Sequence, residues 1–435
     1  MKIKTFPHIL LLLASSLNAM DFIDFGEAPE KWTAAPKNTE LGQKILGYTG
    51  DWPVPLDQGR LLFNSRLRYE FADQQGLESS DAWTLRTRIG YETARFHGFY
   101  GLGEFENTWA MNLSEYQSTP PANGRTVIPD PRNNQVNQLF LGYQGYNSAA
   151  KGGRQVINLD NQRFVGAVAW RQNDQTFDAA RIETEVIADT WVSYTYSWQV
   201  NRVFGTYATP EVLERFESDN HFVNVHYDGL PLGTLGAYFY YLDLGSDGAG
   251  ASGNTTGLFY TGTYSIDEDW SIPVRAEYAF QTDNGATPDA QGSFFENYWH
   301  LTAGAKYTKY ELGLGFENLG GNGTRSFQTP LATLHKFNGW ADKFLTTPGN
   351  GLQDYYLYYN AGLPADLKLI GAIHYFNAES TSETYGIEYD IGLVHKFSPN
   401  LSALLKFAYY DGDSSATGGL ASDITKVWAQ VDFKL

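Results

Sequence analysis

The chain has 435 residues, 31 of them basic and 49 acidic, for a net charge of −18, and it contains no cysteine. That balance excludes nucleic acid as a partner, because no basic surface is available to release phosphate counterions, and the missing cysteines exclude disulfides. Tyr (29), Phe (27) and Trp (11) supply an unusual share of an ordinary apolar fraction, which moves the fold class towards all-β, since aromatic side chains fit a pleated surface.

The chain opens with "MKIKTFPHILLLLASSLNAM". Lys2 and Lys4 precede an apolar run from Ile9 to Ala14, and small residues lead to Ala19. This is the layout of a secretory signal peptide over 1–19, and the run is too short to span a bilayer. Residues 20–59 alternate poorly and carry Pro29, Pro36, Pro53 and Pro55. They read as a periplasmic lead-in or a pore-associated segment.

From Arg60 to the end the pattern changes to long segments of period two. "RLLFNSRLRYEF" sets Leu61, Phe63, Ser65, Leu67, Tyr69 and Phe71 against Asn64, Arg66, Arg68 and Glu70. "WTLRTRIGYE" sets Trp83, Leu85, Ile89 and Tyr91 against Thr84, Arg86, Arg88 and Glu92. "WVSYTYSWQV" alternates Val192, Tyr194, Tyr196, Trp198 and Val200 with Ser193, Thr195, Ser197 and Gln199. "VRAEYAFQ" opposes Val274, Ala276, Tyr278 and Phe280 to Arg275, Glu277 and Gln281. Strict alternation gives each strand one apolar and one polar side.

A soluble sandwich would turn the apolar side inward, whereas an outer-membrane barrel turns it to lipid. Three features favour the barrel. The segments approach the roughly 9–11 residues that a tilted strand needs to cross hydrocarbon. Aromatics gather at segment ends, as interfacial girdles require. Tight connections such as "KYTKYELG" alternate with long polar ones at 319–352 and 412–424, which suits periplasmic turns and extracellular loops. The chain stops in "VWAQVDFKL", with Val427, Ala429, Val431, Phe433 and Leu435 on one face. This resembles the terminal strand that the barrel-assembly machinery reads in bacterial outer-membrane proteins; Leu435 replaces their usual final Phe, while Phe433 keeps the pattern. The segments number about 18, so residues 60–435 are expected to form a transmembrane antiparallel β-barrel with long extracellular loops and an aqueous passage, in contact with lipid and lipopolysaccharide.

Arginine is concentrated in the first half of that barrel. Strand phasing places Arg66, Arg68, Arg86, Arg88, Arg154, Arg181 and Arg275 in the lumen, and Arg163 and Arg171 in an extracellular loop at 160–176, with an inward fold and an outward position both open to it. A cationic arc inside a low-dielectric wall focuses potential on the pore, and guanidinium forks match carboxylates. The competing reading is that these arginines pair with Glu70, Glu92, Glu104, Glu106 and Glu183 and brace the wall. A second long loop carries His335, Lys336, Trp340 and Lys343. Aromatic and basic residues together suit a sugar carboxylate, or a loop packed as a constriction; an ordered outer loop packing on itself is the bland alternative.

"GRQ" at a strand start, followed by "DNQRFVGAVAWRQNDQTFDAARI", resembles the alginate-export domain family of outer-membrane barrels. The loop "FQTPLATLHKFNGWADKFLTTPGNGLQD" resembles members of that family whose solute is unassigned. The resemblance implies an 18-stranded barrel exporting a polyuronate through an arginine-lined, anion-selective pore gated by loops. Only Arg154 is carried across by the motif; the other arginines rest on strand phasing.

No zinc spacing, GxSxG elbow or P-loop in a strand–helix setting occurs, so no catalytic residue, metal or cofactor is assigned. Acidic clusters such as "DGDSS" read as solvated loop tips. The expected function is passive transport of hydrophilic solute, with anionic sugars or oligouronates such as alginate preferred. A non-selective general porin, a barrel with an adhesin or enzyme role, and a soluble secreted β protein are the other readings.

Overall fold

A computed structural model describes residues 58–208, 210–285 and 294–435. The expected signal peptide and nearly all of the lead-in lie outside the described residues. Among those described, eighteen antiparallel strands, β1 to β18 in chain order, form one closed sheet. Each strand pairs with its chain neighbours, and β18 (Ile424–Lys434) closes the ring on β1 (Arg60–Gln74), from Asn64 opposite Lys434 to Gln74 opposite Ile424. Among the described residues no helix is long and apolar enough to cross a membrane; the strands do so.

Alternation decides which side faces lipid. On β1, Leu67 is exposed while Arg66, Arg68 and Glu70 are buried, and β2 (Ser80–Glu92) repeats this with exposed Trp83 and Ile89 against buried Thr84 and Arg86. An apolar side chain exposed outside and a polar one sequestered inside is the inversion a bilayer imposes. On β7 (Thr190–Asn201) a predicted position moves to the other face. Trp198 is an extra residue opposite β6 (Thr176–Ile187), where Ser197 faces Ala179 and Gln199 faces Asp178, so Val200 turns into the lumen, fully buried. The bulge inserts one residue and reverses the phase beyond it.

Both barrel termini lie at the end that carries the tight connections, such as 146–147, 188–189, 231–232 and 308–309. Tyr146 and Asn147 both take positive φ, +55° and +53°, as a two-residue hairpin turn requires. The opposite end carries the long connections, and three of these position the site: L2 (111–132), L3 (156–175) and L7 (320–351). L3 starts earlier than the alternation predicts, because β5 (Ser148–Gln155) ends at Gln155. Ile157 and Leu159 therefore leave the wall and pack inside.

Candidate functional site

The lumen is not left to water. L3 and L7 fold into it and meet the wall on every side. Gln172 and Asn173 of L3 bond Thr84 on β2 and Thr108 on β3 (Phe99–Ala110). Asp160 accepts from Asn224 of β8 (Arg215–Leu230) at 2.8 Å and from Tyr240 of β9 (Gly233–Leu242) at 3.0 Å. Gln328 of L7 takes Gln281 of β11 (Trp270–Thr282) through its amide at 2.9 Å. The amides of Trp340 and Ala341 donate to Asp390 and Glu388 of β16 (Thr384–Lys396) at 3.1 and 2.6 Å.

Between these polar anchors lies an apolar core inside the barrel. Phe164 of L3 sits 5.1–6.0 Å from the rings of Tyr238, Tyr298, Tyr240 and Phe327. Phe344 of L7 packs on Phe376 at 4.5 Å. Each fully buried aromatic contributes roughly 2–3 kcal/mol, so the inward fold of the loops is hydrophobically driven. The run "FVGAVAW" in L3 is the sequence signal for this, since such a stretch is out of place on a loop left in water.

L3 and L7 are also joined to each other. Val165 and Leu331 form a parallel bridge, and the Gly166 amide donates to the Leu331 carbonyl at 2.9 Å. The Thr333 amide returns to the Gln162 carbonyl at 3.1 Å. Arg163 binds across both loops and the wall: its Nε meets Glu317 at 2.6 Å, Nη1 meets Thr329 at 3.1 Å and Nη2 meets Asn338 at 3.0 Å. Burial alone would lower the Arg163 pKa, but the Glu317 carboxylate outweighs it and raises the value. Arg171 is likewise raised, because Glu70, Asp342 and Asp130 outweigh its burial.

A second cluster centres on His335. Its ring stacks on Trp170 at 4.3 Å, and its Nδ1 lies 2.7 Å from the Asp342 carboxylate. Lys406 of β17 (Leu401–Gly412) lies 2.6 Å from His335 Nε2 and over the faces of Trp340 and Trp170, at 3.7 and 4.3 Å. The ammonium can only donate, so His335 is neutral with its proton on Nδ1. Burial, with Lys406 and Arg171 close by, pushes the His335 pKa well below its ordinary value. Burial would raise Asp342, but Arg171 and Lys426, 2.7 and 2.8 Å away, help hold it well below the carboxylate range. Lys343 donates to the Gly419 and Ser422 carbonyls and is lowered to about 8 by burial, while Lys336 of L7 is half-buried beside Phe337.

This cluster predicts a pH dependence. A folded-state pKa below the free value means that docking of L7 favours neutral His335. That stabilisation is complete above about 6.5 and is lost as pH falls, by at most about tenfold per pH unit. Raising the proton concentration from pH 7.5 to 5.5 is therefore expected to increase open probability in planar bilayers. His335→Gln should flatten the dependence; an unchanged slope would assign it to other groups.

The expected pore-lining arginines fall into separate groups. Arg66 and Arg86 stand directly opposite each other on β1 and β2, with Arg68 and Arg88 beside them. Arg66 takes Asp432 at 2.8 Å, and Arg88 takes Glu106 and Asp174, both at 2.6 Å. Arg86 is buried and bonds Asn64, while its Nε and Nη1 have no partner. Arg181 and Arg275 pair within their own strands to Glu183 and Glu277. Arg154 sits apart: its register partners are Leu139, exposed on the outer face, and Asp178, which it grips through two bonds of 2.7 and 2.9 Å. Gly153 of the "GRQ" motif precedes it at φ +128°, where a Cβ would lie 2.4 Å from the Leu139 carbonyl oxygen, so only glycine fits.

Comparison with known proteins places this architecture. The barrel resembles Acinetobacter baumannii OccAB2 with a TM-score of 0.69 at 15% identity, covering 88% of this chain and 100% of that one. Pseudomonas aeruginosa OccK9 (OpdG) gives 0.68 at 12% identity, over 88% of this chain and 100% of that one. P. aeruginosa OpdK, solved with vanillate, gives 0.66 at 14% identity, over 87% and 99%. At these identities the likeness is one of fold. No curated sequence matches the chain. The sequence model of the alginate export family matches residues 60–280, half of the chain. With its closed eighteen-stranded wall and inverted apolar face, the chain is a bacterial outer-membrane β-barrel and belongs to the alginate export family.

Proposed function

We propose that this barrel is a passive channel for anionic hydrophilic solutes, with carboxylated saccharides such as oligouronates the favoured class, and that Arg66, Arg68, Arg86 and Arg88 are its selectivity element. The observation that carries this reading is the like-charged pair Arg66–Arg86, opposite each other inside the wall, with Nε and Nη1 of Arg86 left unpartnered. Like charges directly opposite are destabilising, and a buried donor without a partner costs about 1–3 kcal/mol. A wall braced only for stability has no use for either feature, whereas a passing carboxylate neutralises both. Arg154 and Asp178 form a closed pair beside an outward-facing leucine, so Arg154 belongs to the frame. Arg181 and Arg275 have their own carboxylates and serve as bracing first. Vanillate, which accompanies OpdK, is itself a carboxylate, and that supports the solute class.

Reversal potential in a planar bilayer under a salt gradient tests the reading. The wild type is expected to prefer anions. Arg66→Gln with Arg86→Gln should lower the anion-to-cation permeability ratio by about threefold or more, because two charges leave a confined, weakly screened site. Arg154→Gln should leave the ratio unchanged. Cation preference in the wild type, indifferent to the double substitution, would hand the field to the acidic loops and reduce the channel to a general porin.

A further inference from the structure

The arginine patch is already occupied by the protein's own chain. The Ala169 and Trp170 carbonyls of L3 accept from Arg66 Nη1 at 2.9 and 3.3 Å, and the Arg171 carbonyl lies at 3.4 Å from the same nitrogen. Trp170 also accepts from Arg68 Nη2 at 2.5 Å, while the Arg68 guanidinium lies 4.0 Å from the Trp170 ring centroid. Four residues beyond Trp170, Asp174 meets Arg88 at 2.6 Å. L3 thus offers these arginines a row of carbonyl oxygens, one carboxylate and a ring face. An acidic saccharide offers the same inventory: carboxylate and hydroxyl oxygens on a ring with an apolar side.

We infer that residues 169–174 are a tethered competitor of the transported anion, and that an anionic saccharide reaching Arg66, Arg68 and Arg86 opens the channel by displacing L3. This rests on the anion reading above and adds its regulation. Three observations carry it. The wall supplies Arg66 and Arg88 with one carboxylate each, Asp432 and Glu106, so losing L3 leaves positive charge that a bound anion restores. Arg86, level with Arg66, keeps two nitrogens buried without a partner in the occupied state, and an anion satisfies them once L3 departs. The Val165–Leu331 bridge and Arg163 couple L3 to L7, so displacement of one carries the other. A ligand that binds only the displaced state shifts the equilibrium towards it by mass action.

The chain has no cysteine, so a single Thr108→Cys places one thiol on the wall beneath L3, where Thr108 is buried against Asn173. Its labelling by a water-soluble maleimide, in protein reconstituted into liposomes and checked for heat-modifiable mobility, reports displacement. An oligogalacturonate is expected to speed labelling at least tenfold, and a neutral maltooligosaccharide of equal length to leave it unchanged. Adding Arg66→Gln and Arg86→Gln should raise basal labelling and abolish the response. Equal acceleration by the neutral sugar would overturn the inference, as would no acceleration. Anion selectivity measured on the same protein separates the two failures: if it persists without acceleration, the channel reading stands and the competitor role falls; if it is absent, both fall.

Discussion

Arg163→Ala is expected to raise the channel's resting open probability by loosening the docked loops. Arg163 is 2% exposed, and its guanidinium joins Glu317 on the wall to Thr329 and Asn338 of L7. Truncation leaves the Glu317 carboxylate buried with neutral donors only, Tyr298 at 2.7 Å and Asn338 at 2.6 Å. Breaking one side of a buried ion pair costs roughly 3–5 kcal/mol; the remaining donors argue for the lower figure. About 3 kcal/mol is more than a hundredfold in the ratio of docked to displaced loops. The strand ladder does not depend on Arg163, so the barrel should still assemble and run as a heat-modifiable band. Adding Glu317→Gln removes the stranded charge and should recover much of the docking. Single-channel recordings showing equal resting open probability in wild type and Arg163→Ala would mean that the apolar core alone holds the loops.

The second large effect concerns how the loops move. A disulfide between Val165→Cys and Leu331→Cys, at the parallel bridge, ties L3 to L7 and is expected to leave channel opening intact. Linking Phe344→Cys to Phe376→Cys, whose native rings are 4.5 Å apart, with a short reversible bis-thiosulfonate ties L7 to the wall instead. That link should abolish opening until reductant is added. The contrast follows from the contacts: the seam between the loops combines backbone bonds with Gln162, Thr333 and Arg163, so separating them costs more than moving them together. Openings lost when only the seam is tied would show that the loops part.

Both experiments address what alternation could not reveal. The period-two pattern of "RLLFNSRLRYEF" and "WTLRTRIGYE" shows two faces, and the aromatic ends choose lipid for the apolar one. Those readings are local and hold residue by residue on β1 and β2. Val200 escaped because a bulge is a one-residue event that alternation cannot register until the partner strand is present. Arg154 was carried by its motif, yet its surroundings were set by Gly153 and by the strands on either side. The arginine patch was legible as a cluster along the chain. That Arg66 faces Arg86 was not, because register between strands depends on the whole ladder.

By itself, then, the sequence determined what the bilayer dictates. Burying backbone polar groups in hydrocarbon requires a closed sheet, and lipid contact requires one apolar side, so composition, alternation and segment length lead to a barrel of about eighteen strands. The tertiary structure decided what fills it. Whether an inward-facing arginine meets water, a solute or a loop carbonyl depends on residues a hundred positions away, such as Trp170 against Arg68. Nothing in the local pattern encodes that pairing, because it is selected by the free energy of packing L3 and L7 together inside the completed wall.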